Sequence, residues 1–599
     1  MLAMSPSLKC FAIIVTALLL SQCAKVILPP VQPAANKEQS TASLIPYTLP
    51  ATSYLALSKN QAEDEKQNLL IMAAGRFIYD GQWRDGVRIL TQTNPLTPMQ
   101  ANAKNILLAN TDLIREQPRA AIARLAKVHE TSSLSLYYQV QYHETLALAY
   151  ETIGNAAESV VERIKLEPLI PNEAARTNNR RILWLTLTKL PVEELNTLAV
   201  EAPDDSQLQG WMKLALIARQ NNEDSQVTLA KMEEWQNQYQ NHPANKLLPS
   251  PLASVKPYLH TKPRQVALIL PLSGPLAGPG GAIRDGFMAA AADSPAKVQF
   301  YDSAKTPVAD LYQKALSEGA DYVVGPLSKS DVATVAAMEH PVPTLLLNDV
   351  DATSMPNAYH FGLSPSNEAR QVAEKAGKKG YKRALIIAPE GPWGEEIVTA
   401  FNSQWQDNGG IIVDKLAYGA KADLNTAIRD LLHVSESEGR EKQVKELLGR
   451  NIQTVPNRRQ DFDMIFLLAY PTKARQIMPL LKYYFAGNVP VYATSTVYGG
   501  SPEIMKDKDL DGIMFSDMPW VFSHQMGSKH WPEQLNSYNR LYALGMDSFA
   551  LSTQLNQLLL FPSMGIDDNS GVLYLNRTQQ IARIPAWGKF KGGVAVVVS

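Results

Sequence analysis

Cysteine is nearly absent from this chain of 599 residues, which carries only Cys10 and Cys23. So few thiols leave no disulfide framework to hold the fold. Charge is sparse as well, at 19% of residues with a net of −1, and no basic face for nucleic acid is expected from such a balance. The nine histidines show no H-E-x-x-H or other zinc-like spacing, and no G-x-S-x-G nucleophile turn occurs. Ser294-Pro295-Ala296-Lys297 does match S-x-x-K, an acylation motif. That motif needs its Ser at a helix start so that Lys on the next turn can reach it, whereas here it falls between a helix end and a strand. No K-T-G accompanies it; the nearest string is Lys305-Thr306-Pro307. These absences argue against an enzyme, and no cofactor or metal is expected.

The apolar run Phe11 to Leu20 is well short of the roughly 20 residues that span a bilayer. Following a short segment with one Lys, it reads as a secretory signal over residues 1–22. Leu20-Ser21-Gln22-Cys23 resembles the bacterial lipobox, with Gln22 where a small residue is usual. The resemblance implies cleavage before Cys23, lipidation of its thiol, and, with Ala24 rather than Asp next, an anchor on the periplasmic face of the outer membrane. Several acyl chains at about 0.8 kcal/mol per methylene give stable attachment. Residues 23–49, rich in Pro, Ala, Ser and Gln, read as a tether that could span on the order of 80 Å.

At this length two or more domains are expected. From residue 50 to about 250 amphipathic stretches alternate with short breaks, the pattern of a helical domain. Three segments superimpose: Arg76 to Val87, Asp112 to Ile122 and Ala149 to Val160. Each has a helix end, a tight turn and then a small residue, Gly86, Ala121 or Ser159, early in the next helix. This resembles the tetratricopeptide repeat, whose period is close to 34. Trp83, Tyr137, Tyr138, Trp184, Trp211 and Trp235 are read as core. Five prolines between Asn241 and Pro263 then suggest a boundary, with residues 251–263 as linker.

From residue 264 to 599 short β-rich runs alternate with helices. The runs are Val266–Leu270, Val298–Tyr301, Tyr322–Gly325, Pro343–Leu347, Ala384–Ala388, Ile411–Val413, Met464–Leu468 and Val489–Ala493. The alternation predicts parallel sheets in two α/β lobes. After the first run comes a Gly/Pro loop, with a helix expected from about Ile283. Its Gly278 and Gly280 begin a G-x-G pattern, but Ile283 occupies the third glycine position, so a dinucleotide site is not expected. The charged stretch Ser435 to Arg459 reads as a solvated helix and loop inserted between strands, with a partner-facing insertion as the sharper alternative.

VALILPLSGPLAGPGGAIRDGFMAA (266–290) resembles the opening of type I periplasmic binding proteins. Asp321 to Ser328 resembles their strand and cleft loop, and Gly362-Leu363-Ser364-Pro365 their crossover to the second lobe. Ser273 and Gly274 in the first string, Gly325 and Ser328 in the second, and Asn348 could line such a cleft and are equally consistent with loop structure. The fold class expected is therefore α plus α/β: a tetratricopeptide-like helical domain, then a two-lobed type I periplasmic-binding-protein-like domain. With the lipobox and the strings LILPLSG, VVGPL, FGLSPSNEA and RLYALGMDSFAL, the whole chain resembles the LpoA family of penicillin-binding protein activators. The resemblance implies an outer-membrane lipoprotein that docks on a bifunctional class A penicillin-binding protein and stimulates peptidoglycan cross-linking. The alternative is a lipid-anchored solute receptor that closes on an amino acid or similar ligand. The fold alone does not choose between them.

Overall fold

The computed structural model describes residues 45–598 apart from 96, 205, 221–224, 351–354, 449–456, 524–537 and 577, so Cys23 and most of the tether lie outside the described residues. No described helix is long and apolar enough to cross a membrane. The chain forms two compact units, residues 1–179 and 180–599.

The first unit is helical: α1 (Ala51–Ser58), α2 (Glu63–Tyr79), α3 (Trp83–Gln92), α4 (Pro98–Ile114), α5 (Pro118–Leu125), α6 (Leu136–Thr152), α7 (Ala156–Leu166) and the start of α8 (Glu173–Thr188). Its repeat is visible in the turns. Gly81, Glu116 and Gly154 each adopt a left-handed conformation at the end of a helix. The following N–H closes each helix in the same way, Gln82 onto Phe77 O, Gln117 onto Asp112 O and Asn155 onto Tyr150 O, at 2.8–2.9 Å. This is the Schellman closure, for which glycine is the unstrained residue. The predicted small residues sit where helices cross. A Cβ on Gly86 would lie 2.6 Å from Ile78, and Ala121 and Ser159 are fully buried. Among the aromatics read as core, Trp184, Trp211 and Trp235 are buried, while Trp83, Tyr137 and Tyr138 are half-buried.

The second unit holds the rest of α8, then α9 (Val192–Glu201), α10 (Gln207–Gln220) and α11 (Ser225–Gln238), followed by two large sheets, the first parallel as expected and the second mixed, because its last two strands run antiparallel. The first contains β1 (Gln265–Leu270), β2 (Lys297–Asp302), β3 (Tyr322–Val324), β4 (Thr344–Leu346) and β5 (Ala358–His360), in the order β2-β1-β3-β4-β5. Its helices are α12 (Ala277–Ala290), α13 (Val308–Ser317) and α14 (Lys329–Ala336). The second lobe begins with α15 (Pro365–Lys378) and continues through β6 (Arg383–Pro389), α16 (Pro392–Asp407), β7 (Ile411–Tyr418), α17 (Leu424–Leu431) and α18 (Val434–Leu448). It goes on with β8 (Met464–Leu467), α19 (Pro471–Tyr483), β9 (Val491–Ala493), α20 (Ile504–Asp507), β10 (Met514–Asp517) and α21 (Pro519–Ser523). Then α22 (Asn539–Leu560) returns to the first lobe, with the antiparallel strands β11 (Ile566–Asp568), β12 (Gly571–Leu575) and β13 (Ile581–Ile584). Finally β14 (Ala586–Lys591) and β15 (Val594–Val598) complete a seven-stranded second sheet, β15-β14-β10-β9-β8-β6-β7. The chain thus passes between the lobes three times: after β5, between α21 and α22, and at Pro585.

All eight β-rich runs read from the sequence are strands. One boundary needs correcting, since the helix expected from about Ile283 begins at Ala277, inside the Gly/Pro loop. Pro279 is tolerated in the first turn, where an N–H has no partner to lose. Gly280 lets the helix sit on the strand end, where a Cβ would be 2.1 Å from Pro271 O. The second lobe repeats the device with Gly394, 2.1 Å from Pro389 O. S-x-x-K indeed lies between a helix end and a strand, α12 and β2.

Candidate functional site

In open parallel sheets, ligands bind beyond the carboxyl ends of the strands where the strand order reverses. The first lobe reverses between β1 and β3, and every residue read as cleft-lining follows β1, β3 or β4. Gly274 has φ +69, and Gly325 has φ +104 with Ile269 O at 1.9 Å from where a Cβ would be. The polar members of the set have partners inside the loops. Ser273 Oγ donates to Asp302 Oδ2 at 2.7 Å. Burial pushes the Asp302 carboxyl up, but bonds from Ser273, the Leu272 and Ala304 N–H groups and Lys305 outweigh it and hold the pKa at about 2. Ser328 caps α14 by accepting from Asp331 N–H, and Asn348 donates to Leu327 O at 3.0 Å while accepting from Asp349 N–H. No hydrogen bond described joins Ser273 to Ser328 or Asn348, so the five residues share a strand edge without forming a converged binding group.

The second lobe reverses between β6 and β8. Across that point Trp393, in the first turn of α16, stacks on Tyr470 with centroids 5.3 Å apart and planes 9° from parallel. Tyr470 is 57% exposed. Sequence reasoning assigned no role to either residue. The sequence shows only an aromatic soon after each strand, and which strands are neighbours is a property of the fold.

The most built-up polar group lies where the chain passes between the lobes. Arg583 Nη2 pairs with Glu368 Oε1 at 3.1 Å, each side chain 7% exposed. Glu368 Oε2 accepts from Ser495 N–H at 3.0 Å, and Gln371 donates to Arg583 O at 2.8 Å. Arg540 grips the fully buried Asp517 through Nε at 2.9 Å and Nη2 at 2.6 Å, and Nη2 also donates to Ser495 O and Tyr498 O. Burial opposes the Arg540 charge, yet the Asp517 carboxylate holds the guanidinium above its ordinary pKa. Beside this group is a recess of about 270 Å³, with some of its volume open to solvent, lined by residues including Asp349, Glu368, Gln580 and Arg583. Gln580 donates to Asp349 at 2.9 Å, so the lining too is internally paired. Glu368 and Arg540 fall inside FGLSPSNEA and RLYALGMDSFAL, which the sequence marks as family-like strings without showing that they meet.

A family model described as "LppC putative lipoprotein" matches residues 48–593. The penicillin-binding protein activator LpoA of Vibrio cholerae serotype O1 is 27% identical over 564 residues, covering 90% of this chain and 92% of that one. Its namesake in Photobacterium profundum is 25% identical over 582 residues, covering 93% of each. Among solved structures, full-length LpoA from Haemophilus influenzae is 23% identical with a TM-score of 0.49, covering 93% of this chain and 100% of that one.

Proposed function

The chain belongs to the LppC family, and from that premise we propose that it binds and activates a bifunctional class A penicillin-binding protein, stimulating its peptidoglycan cross-linking without catalysing a step itself. The observation that carries this reading is end-to-end similarity, over nine-tenths of the chain, to proteins named as penicillin-binding protein activators. The site supports it. A solute receptor needs unspent polar groups to pair a charged ligand, whereas Ser273, Ser328 and Asn348 at the first lobe's strand ends, and Glu368, Arg540 and Arg583 at the passages, each have partners within the protein. In this reading Cys23 is lipidated, the chain hangs from the outer membrane into the periplasm, and residues 23–49 carry it toward its partner. Activation is a population shift in the synthase, limited by the activator's differential affinity for the two states.

The test is a peptidoglycan synthesis assay with a purified class A penicillin-binding protein and lipid-linked precursor, with and without residues 24–599. More cross-linking with both proteins, and none from this chain alone, is expected. No stimulation and no binding, with an active synthase, would turn the reading to the solute receptor. For that second reading the open Trp393–Tyr470 pair is the favouring observation, and a thermal-shift screen with amino acids addresses it directly.

A further inference from the structure

The seven-stranded sheet of the second lobe is covered unevenly. Alternation along the strands separates its two faces. Ala384, Ile386, Phe466, Tyr492 and Trp587 look toward α15 and α16, whereas Leu385, Ile387, Leu467, Phe515 and Phe590 pack with α17 and α19. On the first of these faces α15 lies over β9 and β10, and α16 over β6 and β7. The described elements packed on β14 and β15 are residues 508–510 and α21, and through Leu510, Val521 and Phe522 they belong to the other face. Among the described residues, then, no helix covers β14 and β15 on the α15 side. Trp587, Lys589, Val594, Val596 and Val598 share that side by their pairing, each only half-buried. Two strands make a strip about 10 Å wide and roughly 17–20 Å long. That is the footprint of one helix of about three turns.

The rim of the strip is basic. Gln371, Lys375 and Lys379 follow one another at four-residue spacing on the flank of α15. Gln371 donates to Arg583 O just ahead of β14, and Lys375 Nζ stands 5.5 Å from the centroid of the Trp587 ring. Burial, then the charges of Lys379 and Lys378, hold Lys375 below its ordinary pKa. Lys378 is matched by Glu374. Lys375, Lys379 and Lys589 have no described ion pair.

We propose that this strip is a docking surface for an acidic amphipathic helix of the protein partner, with its apolar side on Trp587 and the valines and its carboxylates against Lys375, Lys379 and Lys589. Such a helix would stand beside α15 and complete the layer. The charges select the occupant. A second copy of this chain, meeting the strip about a two-fold axis, would set lysine against lysine. The proposal rests on the activator reading and names the surface by which a class A penicillin-binding protein would be held.

The test measures binding of residues 24–599 to a purified class A penicillin-binding protein. Lys379→Glu with Lys589→Glu is expected to weaken binding at least tenfold, and the parent's affinity is expected to fall as salt rises. Lys421→Glu with Lys482→Glu, an equal charge change at exposed sites off the strip, is expected to leave binding unchanged. Residues 24–599 contain no cysteine, so Lys379→Cys can carry a single benzophenone. Its crosslink to the synthase is expected in an acidic helical segment. Equal binding by the parent and the folded Lys379→Glu, Lys589→Glu variant overturns the docking surface and leaves the activator reading standing. Crosslinks only to other kinds of segment, or none while binding persists, also overturn it. No binding by the parent to an active synthase removes both. Should circular dichroism show the charge-reversed variant unfolded, Lys379→Gln with Lys589→Gln is read by the same criterion.

Discussion

Arg540 and Asp517 show how much rests on single side chains. Replacing Arg540 by Met leaves the fully buried Asp517 with the Met518 N–H but no counter-charge, and breaking such a pair from one side costs about 3–5 kcal/mol. Urea unfolding of Arg540→Met is expected to show that loss, and Arg540→Met with Asp517→Asn to recover most of it. Glycine sites divide by cause. Gly286→Ala, on α12, would put a Cβ 2.0 Å from Tyr542 O on α22 and is expected to cost about 1–3 kcal/mol through overpacking. Gly81→Ala meets nothing within 4 Å and should cost only the left-handed strain, about 1 kcal/mol. Asp547 and Asp568 give a pH dependence. Asp547 is fully buried and its pKa is raised, chiefly by desolvation; burial and the Asp547 charge push Asp568 up to about 8. The folded state therefore holds a proton that the unfolded chain, with a carboxyl near 3.8, releases. The stability this gives is complete below about pH 4 and is lost as pH rises through about 8. Between pH 5 and 8 the parent should lose on the order of 1–3 kcal/mol on this account, and Asp568→Asn much less. If the two pH profiles run parallel, the pair is not the source. None of these pairings was legible in the sequence: Arg540, Asp517, Asp547 and Asp568 are ordinary charged residues until the chain returns to its first lobe.

At the level of elements, regular local pattern was what the sequence could express. The eight strands read correctly are short β-rich runs set between helices, and the repeat turns carry glycine at two of three copies. Strands β5, β10 and β11 to β15 went unread because most are short and mix polar with apolar residues, and because antiparallel additions follow no strand–helix alternation. The residues expected to line a cleft were read mainly from family-like strings at the ends of β1 and β3, whereas the partners of Ser273 and Asn348, Asp302 and Leu327, lie 29 and 21 residues away. The role of α8 was equally hidden. Its Trp184 stacks on Phe561 with centroids 5.0 Å apart, Arg181 donates to Ser563 O at 2.7 Å, and Lys189, just past its end, pairs with Asp567 at 3.0 Å. Residues 180–188 of this helix therefore belong to the second unit, some 380 residues before their partners. Trp184→Ala in the full chain is expected to cost about 3–5 kcal/mol, the range for deleting a buried aromatic. A change under 1 kcal/mol by chemical unfolding would show that the contact is incidental.

For the molecule as a whole, what matters in the proposed function is whether the docking surface can reach a partner held elsewhere. Tyr47 is 4% exposed and packs against Gly75, so the chain is already docked on the first unit there. In the proposed function the tether is then residues 24 to about 44, following a lipidated Cys23. Deleting residues 26–43 removes roughly 60 Å of extended reach and touches none of the described residues. The deletion is thus expected to leave stimulation of a soluble synthase unchanged in the purified assay. In cells that depend on this activator, the lipidated deletion variant should fail, and a Gly/Ser/Pro-rich insert of equal length should restore function, because composition sets reach and stiffness without specific contacts. Growth with the deletion equal to the parent would show that the distance is bridged in some other way. Failure that the neutral insert does not rescue would instead point to a specific contact made by residues 26–43.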